Sequence, residues 1–132
     1  MKVCLGQINT TPGDFEGNLE RIKIGIDQAS AAHCDVIVFP ELTIPGYLSQ
    51  DLVYNPAYID RNLAVLTDII GYSADCWPEL HIVVGYIDRN EGVGKPFFNM
   101  AAVIAGGRLV ARYRKQLLPF YDVFDELRYY EP

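Results

Sequence analysis

The segment Asp35-Val36-Ile37-Val38-Phe39-Pro40-Glu41-Leu42 contains a run of β-branched and aromatic residues that ends at a proline and an acid. A short apolar run without a polar side is typical of a fully buried strand in an α/β sheet. Functional side chains often follow such strands, because the strand fixes the backbone while the next loop opens a crevice. Glu41 is therefore a candidate catalytic residue, although a solvated acid at a strand end is the commoner interpretation of this pattern alone.

The sequence on both sides of this run predicts further strands and two helices. Alternating or apolar runs predict strands over residues 3–8, 82–87, 97–105 and 108–114, the last two joined by Gly106-Gly107 as a hairpin. Apolar residues three and four apart predict the buried faces of two helices, Leu19, Ile22, Ile26 and Ala29 after Asn18, and Ile59, Leu63, Leu66 and Ile70 after Asn55-Pro56. We therefore predict the α/β class, with a mixed β-sheet and helices packed on one face.

Composition excludes several functional classes. The chain has 132 residues and a net charge of −6, which argues against a nucleic-acid partner because phosphate recognition needs clustered Lys and Arg. The three cysteines lack the spacing of a disulfide framework or zinc site, so no metal is expected. No segment has the apolar length of a signal peptide or membrane span, which predicts a cytoplasmic domain without a membrane partner.

Lys115 is a second candidate on position, whereas Glu126, Tyr47 and Tyr121 do not stand out by position. Lys115 ends the last predicted strand, Glu126 lies in an acidic stretch, and Tyr47 and Tyr121 lie in loops beside prolines. Each has an ordinary interpretation as well: an exposed lysine, a solvated acid and two packing tyrosines. A lysine at a strand end can also stabilise negative charge that develops on a reacting oxygen.

Several motifs together resemble the nitrilase superfamily of carbon–nitrogen hydrolases. Phe39-Pro40-Glu41-Leu42 followed by Pro45-Gly46-Tyr47 resembles the superfamily's glutamate motif, and Phe98-Asn99-Met100-Ala101 resembles a later strand. The first strand and the turn after it, residues 3–18, are similar as well. Residues 115–121 and 123–129 are similar to a segment characteristic of the glutaminase domains of glutamine-dependent NAD⁺ synthetases.

This resemblance implies a fold and a set of roles. The implied fold is an αββα sandwich, of which this chain would be an incomplete half. The implied catalytic triad is Glu-Lys-Cys, with Glu41 as proton acceptor and Lys115 as oxyanion stabiliser. Glu126 matches an additional carboxylate that orients the triad, and Tyr47 and Tyr121 match positions that contact bound glutamine.

The nucleophile departs from the superfamily pattern. The catalytic cysteine is expected well after the lysine, whereas Cys4, Cys34 and Cys76 all precede Lys115. We therefore expect residues 1–132 to be a partial glutaminase domain that is inactive alone, without its nucleophile-bearing part and its synthetase domain. ATP and Mg²⁺ are expected only in that synthetase domain, with no cofactor in this chain. The expected partners are glutamine, the rest of the same protein and a second copy of the chain that covers the open sheet.

Two alternatives remain open from the residues. Another carbon–nitrogen hydrolase, such as an amidase or carbamoylase, would share Glu41 and Lys115 without needing a synthetase domain. A non-catalytic assembly or binding module would keep the fold without the chemistry.

Overall fold

The computed structural model describes residues 1–132, except for the side chain of Cys76. Over this range the chain forms five strands, two α-helices and two short 3₁₀ helices. The elements in chain order are β1 (Val3–Leu5), α1 (Phe15–Ala31), β2 (Val36–Val38), a 3₁₀ helix (Gln50–Tyr54), α2 (Pro56–Cys76), β3 (His81–Arg89), β4 (Phe97–Ala105), β5 (Arg108–Arg114) and a second 3₁₀ helix (Glu126–Arg128). Neither α-helix of this described range has the length and apolar character that crossing a bilayer requires.

The strands form one sheet in the order β1-β2-β3-β4-β5. The first three strands pair in parallel, and β3, β4 and β5 pair antiparallel. The helices supply the two crossover connections that parallel neighbours need, and they pack against each other and against the sheet. The structure therefore confirms the predicted α/β class and mixed sheet.

The prediction of a strand buried on both faces is wrong for β2. Ile37 is fully buried, but Val36 and Val38 on either side of it are only half-buried. The same alternation continues across β3, where Ile82 and Val84 are fully buried and Val83 is half-buried. The helices cover one face of the sheet, so an apolar run in the sequence does not guarantee burial on the other.

The helices differ in detail from the predicted stripes. Helix α1 begins at Phe15 rather than Asn18, with the Asp14 carboxylate accepting from the N–H of Gly17. In α2 the fully buried residues include Val65 and Ile69, whereas Leu63 and Ile70 are only partly buried. The buried face of α2 is thus rotated from the predicted one. It also includes the fully buried Asn62, a polar residue that a stripe of apolar residues omits.

The loop after β2 crosses over β3 and thereby places Glu41. The N–H of Ile44 donates to the carbonyl of Gly85 at 3.0 Å, which holds the loop against the middle of β3. A Cβ atom at Gly85 would overlap the backbone of Glu41 and Leu42. Glycine at position 85 therefore permits the close approach of loop and strand that positions the candidate acid.

Replacing Gly85 by alanine is expected to lower the free energy of unfolding by about 1–3 kcal/mol, because the added methyl group overpacks against backbone that cannot easily move. Gly71→Ala is the matched control, since a Cβ atom there meets no neighbouring atom and lies within α2. That control is expected to raise stability by up to about 1 kcal/mol. Urea denaturation measures both changes, and equal effects of the two variants would contradict the close-approach explanation.

Candidate active site

Lys115 lies at the centre of a cluster of polar side chains, which also contains Glu41, Tyr47, Asn99 and Glu126. The Nζ atom of Lys115 lies 2.8 Å from Oε1 of Glu41 and 3.0 Å from Oε2 of Glu126. Asn99 donates to Oε1 of Glu41 at 2.6 Å and contacts Oε2 of Glu126 at 3.4 Å. The Tyr47 hydroxyl donates to Oε1 of Glu126 at 3.1 Å. The structure therefore brings together four of the five residues singled out in the sequence, and adds Asn99.

Strand pairing and a returning tail build this cluster. The N–H of Lys115 donates to the carbonyl of Asn99 at 2.9 Å, so the lysine, which follows β5, lies beside the first residues of β4. The tail, residues 116–132, then folds back on itself. The N–H of Glu126 donates to the carbonyl of Pro119 at 2.8 Å. Further along, Tyr130 forms a β-bridge with Phe97 at the start of β4. The tail has little regular structure, as predicted. Its pairing with Phe97 nevertheless brings Glu126 to the sheet.

Glu126 is not the solvated acid that its acidic neighbourhood favours. Its side chain is 2% exposed, against 29% for Lys115 and 41% for Glu41. Burial alone would lower the pKa of Lys115, but hydrogen bonds from its ammonium to Glu41 and Glu126 outweigh this and raise that pKa above 10.5. Lys115 therefore stays charged between its two carboxylates throughout the neutral range.

The two tyrosines differ in their relation to the cluster. Burial, together with the hydrogen bond to Glu126, raises the pKa of Tyr47, so its phenol remains a neutral donor. Tyr121 is 61% exposed and reaches the cluster only indirectly, through Phe124, which contacts both tyrosine rings. The structure thus places Tyr47 within the cluster and Tyr121 at its rim.

A cavity of about 290 Å³ opens beside the acid and the lysine. Glu41, Asn99 and Lys115 line it on one side, and the half-buried sheet residues Val38, Val83 and Ala101 contribute to the remainder. Volumes of this size accommodate small ligands, with a few polar groups fixing their orientation. The cavity is therefore suited to a small polar molecule held against the carboxylate and the ammonium.

A model of the carbon–nitrogen hydrolase family matches residues 2–132 of the chain. The chain belongs to the carbon–nitrogen hydrolase family.

Curated relatives and solved structures agree with this assignment. This carbon–nitrogen hydrolase is 36% identical to a glutamine-dependent NAD(+) synthetase from Thermotoga maritima over 132 residues, which are 100% of the chain and 22% of the relative. It also resembles the solved structure of a glutamine-dependent NAD⁺ synthetase from Acinetobacter baumannii in complex with ADP, at 29% identity and a TM-score of 0.86, covering 98% of the chain and 23% of that protein. An amidase from Nesterenkonia sp., at 21% identity and a TM-score of 0.81, shares the fold over 100% of the chain and 48% of its own length. The chain thus spans less than a quarter of the length of these NAD⁺ synthetases.

Asn99 is the residue of the cluster to which sequence reasoning assigned no role. It was noted within a strand motif, yet it is a polar residue in an otherwise apolar run, and its side chain is 2% exposed. A buried amide in a strand requires hydrogen-bond partners, so this break in the apolar pattern was the available signal. The partners themselves come from positions 41 and 126, and pattern alone does not identify them.

The described thiols of this carbon–nitrogen hydrolase lie outside the cluster. Cys34 precedes β2 and lines a separate cavity with His33 and Trp77, whereas Glu41 follows the other end of the same strand. Cys4 lies within β1, which is the edge strand farthest from β5. The side chain of Cys76 lies outside the described part. Neither of the two described thiols is therefore placed to act with Glu41.

The free energy of unfolding is expected to fall as the pH rises above about 10. Burial raises the pKa of Tyr47 and Tyr130 from 10.0, and that of Tyr86 to about 12, so the unfolded chain loses these phenolic protons first. The unfolded state is then favoured by about 1.4 kcal/mol per pH unit for each such proton. Tyr47→Phe is expected to reduce that slope in urea denaturation between pH 10 and 12, whereas Tyr113→Phe, at an exposed ring, keeps it.

Proposed function

We propose that this chain supplies the acid and the lysine of a glutaminase site within a longer carbon–nitrogen hydrolase. The observation that carries the proposal is the single ammonium of Lys115 held between Glu41 and the buried Glu126. Support also comes from the similarity to proteins named glutamine-dependent NAD⁺ synthetases. The nucleophile in this proposal is a cysteine thiol contributed by a part of the protein outside residues 1–132.

The first step forms a thioester. The carboxylate of Glu41 accepts the thiol proton, because the thiolate is the effective nucleophile. The sulfur then attacks the carboxamide carbon of glutamine, and the electron pair of the C=O double bond moves to oxygen. When the C=O bond re-forms, the C–N bond breaks, and Glu41 returns its proton to the leaving nitrogen, so that ammonia departs.

Lys115 stabilises the oxyanion of this step. An ammonium has three N–H donors, one of which is directed at Glu41. Both oxygens of Glu126 lie within 3.2 Å of Nζ and share a second donor, which leaves the third for the developing oxyanion. A charge fixed before the reaction costs no reorganisation when the oxyanion forms.

The second step releases glutamate. Glu41 takes a proton from water, the resulting hydroxide attacks the thioester carbonyl, and the C–S bond breaks. The thiolate regains the proton from Glu41, so the sum is glutamine plus water giving glutamate plus ammonia. Tyr47, which donates to Glu126, and Tyr121, which packs against Phe124, are proposed to contact the bound glutamine.

In the whole protein, the ammonia serves amidation of nicotinic acid adenine dinucleotide to NAD⁺. That reaction belongs in this proposal to a separate synthetase domain, which uses ATP and Mg²⁺, and the hydrolysis in this chain uses neither. We place both reactions in the cytoplasm.

Association with a second copy of the chain also remains a prediction. Strand β5 is exposed along almost its whole length and forms one edge of the sheet. An open edge with apolar side chains favours pairing with further strands. Light scattering of the purified chain over a range of concentrations measures whether it associates.

The proposal is tested with the full-length protein from the gene that encodes this chain. Incubation with L-glutamine is expected to release glutamate, and ¹⁵N from the amide is expected to enter the dinucleotide when ATP is present. Simple aliphatic amides and N-carbamoyl amino acids are the comparison substrates. Hydrolysis of these compounds without glutamate release would favour an amidase or carbamoylase, and hydrolysis of none would favour a binding module.

A further inference from the structure

Asn99 contacts both carboxylates of the cluster with one amide nitrogen. Its Nδ2 atom lies 2.6 Å from Oε1 of Glu41 and 3.4 Å from Oε2 of Glu126, and the side chain is almost completely buried. The backbone of Asn99 is fixed as well, since it pairs with Ile87 and accepts from the N–H of Lys115. The amide is therefore a rigid donor placed between two acids.

The hydrogen bonds divide the two oxygens of Glu41 into different environments. Oε1 accepts from both Asn99 and Lys115. Among the described side chains, Oε2 has no hydrogen-bond partner. The lone pairs of Oε2 therefore remain available for a proton, while those of Oε1 are engaged.

We propose that Asn99 is a positioning residue that fixes the Glu41 carboxylate so that Oε2 is the atom that takes the proton. This inference rests on the glutaminase proposal for its reaction, but the geometry it invokes lies wholly within this chain. Without the amide, the carboxylate would be held by Lys115 alone and could rotate about its C–C bond. Rotation would exchange the free and the engaged oxygen and lower the fraction of reactive orientations.

Asn99 also offsets an imbalance of charge. Two carboxylates, Glu41 and Glu126, face the single ammonium of Lys115. Tyr47, Tyr130 and the cavity-lining Tyr113 also lie near Glu41, and burial raises the pKa of Tyr47 and Tyr130, so both remain neutral phenols. The Asn99 amide therefore gives the two carboxylates a hydrogen-bond donor in addition to the ammonium.

The test compares Asn99→Leu with wild type in the full-length protein. Loss of the donor is expected to lower kcat for glutamine hydrolysis about tenfold to a hundredfold, with KM changed less than about threefold. A fall in kcat without a matching change in KM indicates a positioning role, because the donor acts on Glu41 and not on glutamine. If the leucine variant does not fold, Asn99→Asp keeps the shape, and its carboxylate cannot donate, so kcat is expected to fall at least as far.

Asn62→Leu is the matched control, since Asn62 is also a fully buried asparagine. Its side chain donates to the carbonyl and accepts from the N–H of Ile87, and none of the described hydrogen bonds joins it to Glu41, Glu126 or Lys115. It is expected to lower the unfolding temperature while the folded fraction keeps the wild-type kcat. Equal kcat values for the folded fractions of Asn99→Leu and Asn62→Leu would overturn the inference.

A second readout separates this inference from the glutaminase proposal. The ¹³C-labelled side-chain carboxyl of Glu41, assigned by comparison with Glu41→Gln, is observed by NMR at neutral pH without substrate. Asn99→Leu is expected to change the chemical shift of that carboxyl, because Oε1 loses a hydrogen-bond donor, and an unchanged chemical shift would overturn the role of Asn99. Wild-type protein that releases no glutamate would overturn the glutaminase proposal alone.

Discussion

Replacing Glu41 by glutamine is expected to lower kcat for glutamine hydrolysis by about a thousandfold in the full-length protein. Glutamine keeps the shape and one oxygen acceptor but cannot take the thiol proton, and general base catalysis typically contributes about 10²–10⁴-fold. The fold should survive, since the side chain is 41% exposed and its loop is held by backbone hydrogen bonds to β3. Steady-state release of glutamate measures the effect.

Glu16→Gln is the matched control for this variant. Glu16 is also an ion-paired glutamate, bound to Arg61, but it lies on the exposed face of α1, away from the cluster. Its substitution is expected to leave kcat within about twofold of wild type, as is usual for surface changes. Equal activity of the two variants would remove Glu41 from the proposed mechanism.

Replacing Lys115 by methionine is expected to reduce both activity and stability. Methionine keeps much of the length and apolar stem but leaves Glu126, which is 2% exposed, beside Glu41 without a cation. Removing one member of a buried ion pair lowers the free energy of unfolding by about 3–5 kcal/mol. Because Lys115 is partly exposed, we expect a loss of stability at the lower end of that range. Separately, loss of the ammonium that stabilises the oxyanion is expected to lower kcat by a factor of about 10² or more.

The pH dependence of Lys115 follows from its raised pKa. Because the folded value lies above 10.5, the stabilisation it supplies is fully present below pH 10.5 and is lost as the pH rises through the folded value. The stability difference between wild type and Lys115→Met should therefore be constant from about pH 7 to 10 in urea denaturation. Lys95→Met, in an exposed loop, is the control, and a difference that varies within that range would contradict this assignment.

Much of the site is local in sequence and was predictable. Glu41 follows β2 after two residues, and Lys115 directly follows β5. The strand ends made both residues candidates, and the resemblance to the family then favoured the catalytic interpretation of each over the ordinary one. Glu126 and the two tyrosines came from resemblance alone, since their loops have no periodicity.

The remaining features depend on contacts between distant segments. The apolar run of residues 36–39 predicts a strand in any context, but only the position of the helices decides which of its residues are buried. The buried face of α2 includes Asn62, which bonds Ile87, a residue 25 positions away. A periodicity that counts only apolar residues cannot find such a partner.

The amino-acid sequence by itself determined the elements, their order and the family, because local propensity, hydrophobic spacing and motif residues are written along the chain. Only the tertiary structure decided that Asn99 joins Glu41 to Glu126 and that Glu126 is buried, since both facts depend on a tail that returns to pair with the start of β4. The physical reason is that the orientation and burial of these groups depend on hydrogen-bond partners up to 79 residues apart, whose distances are set by packing.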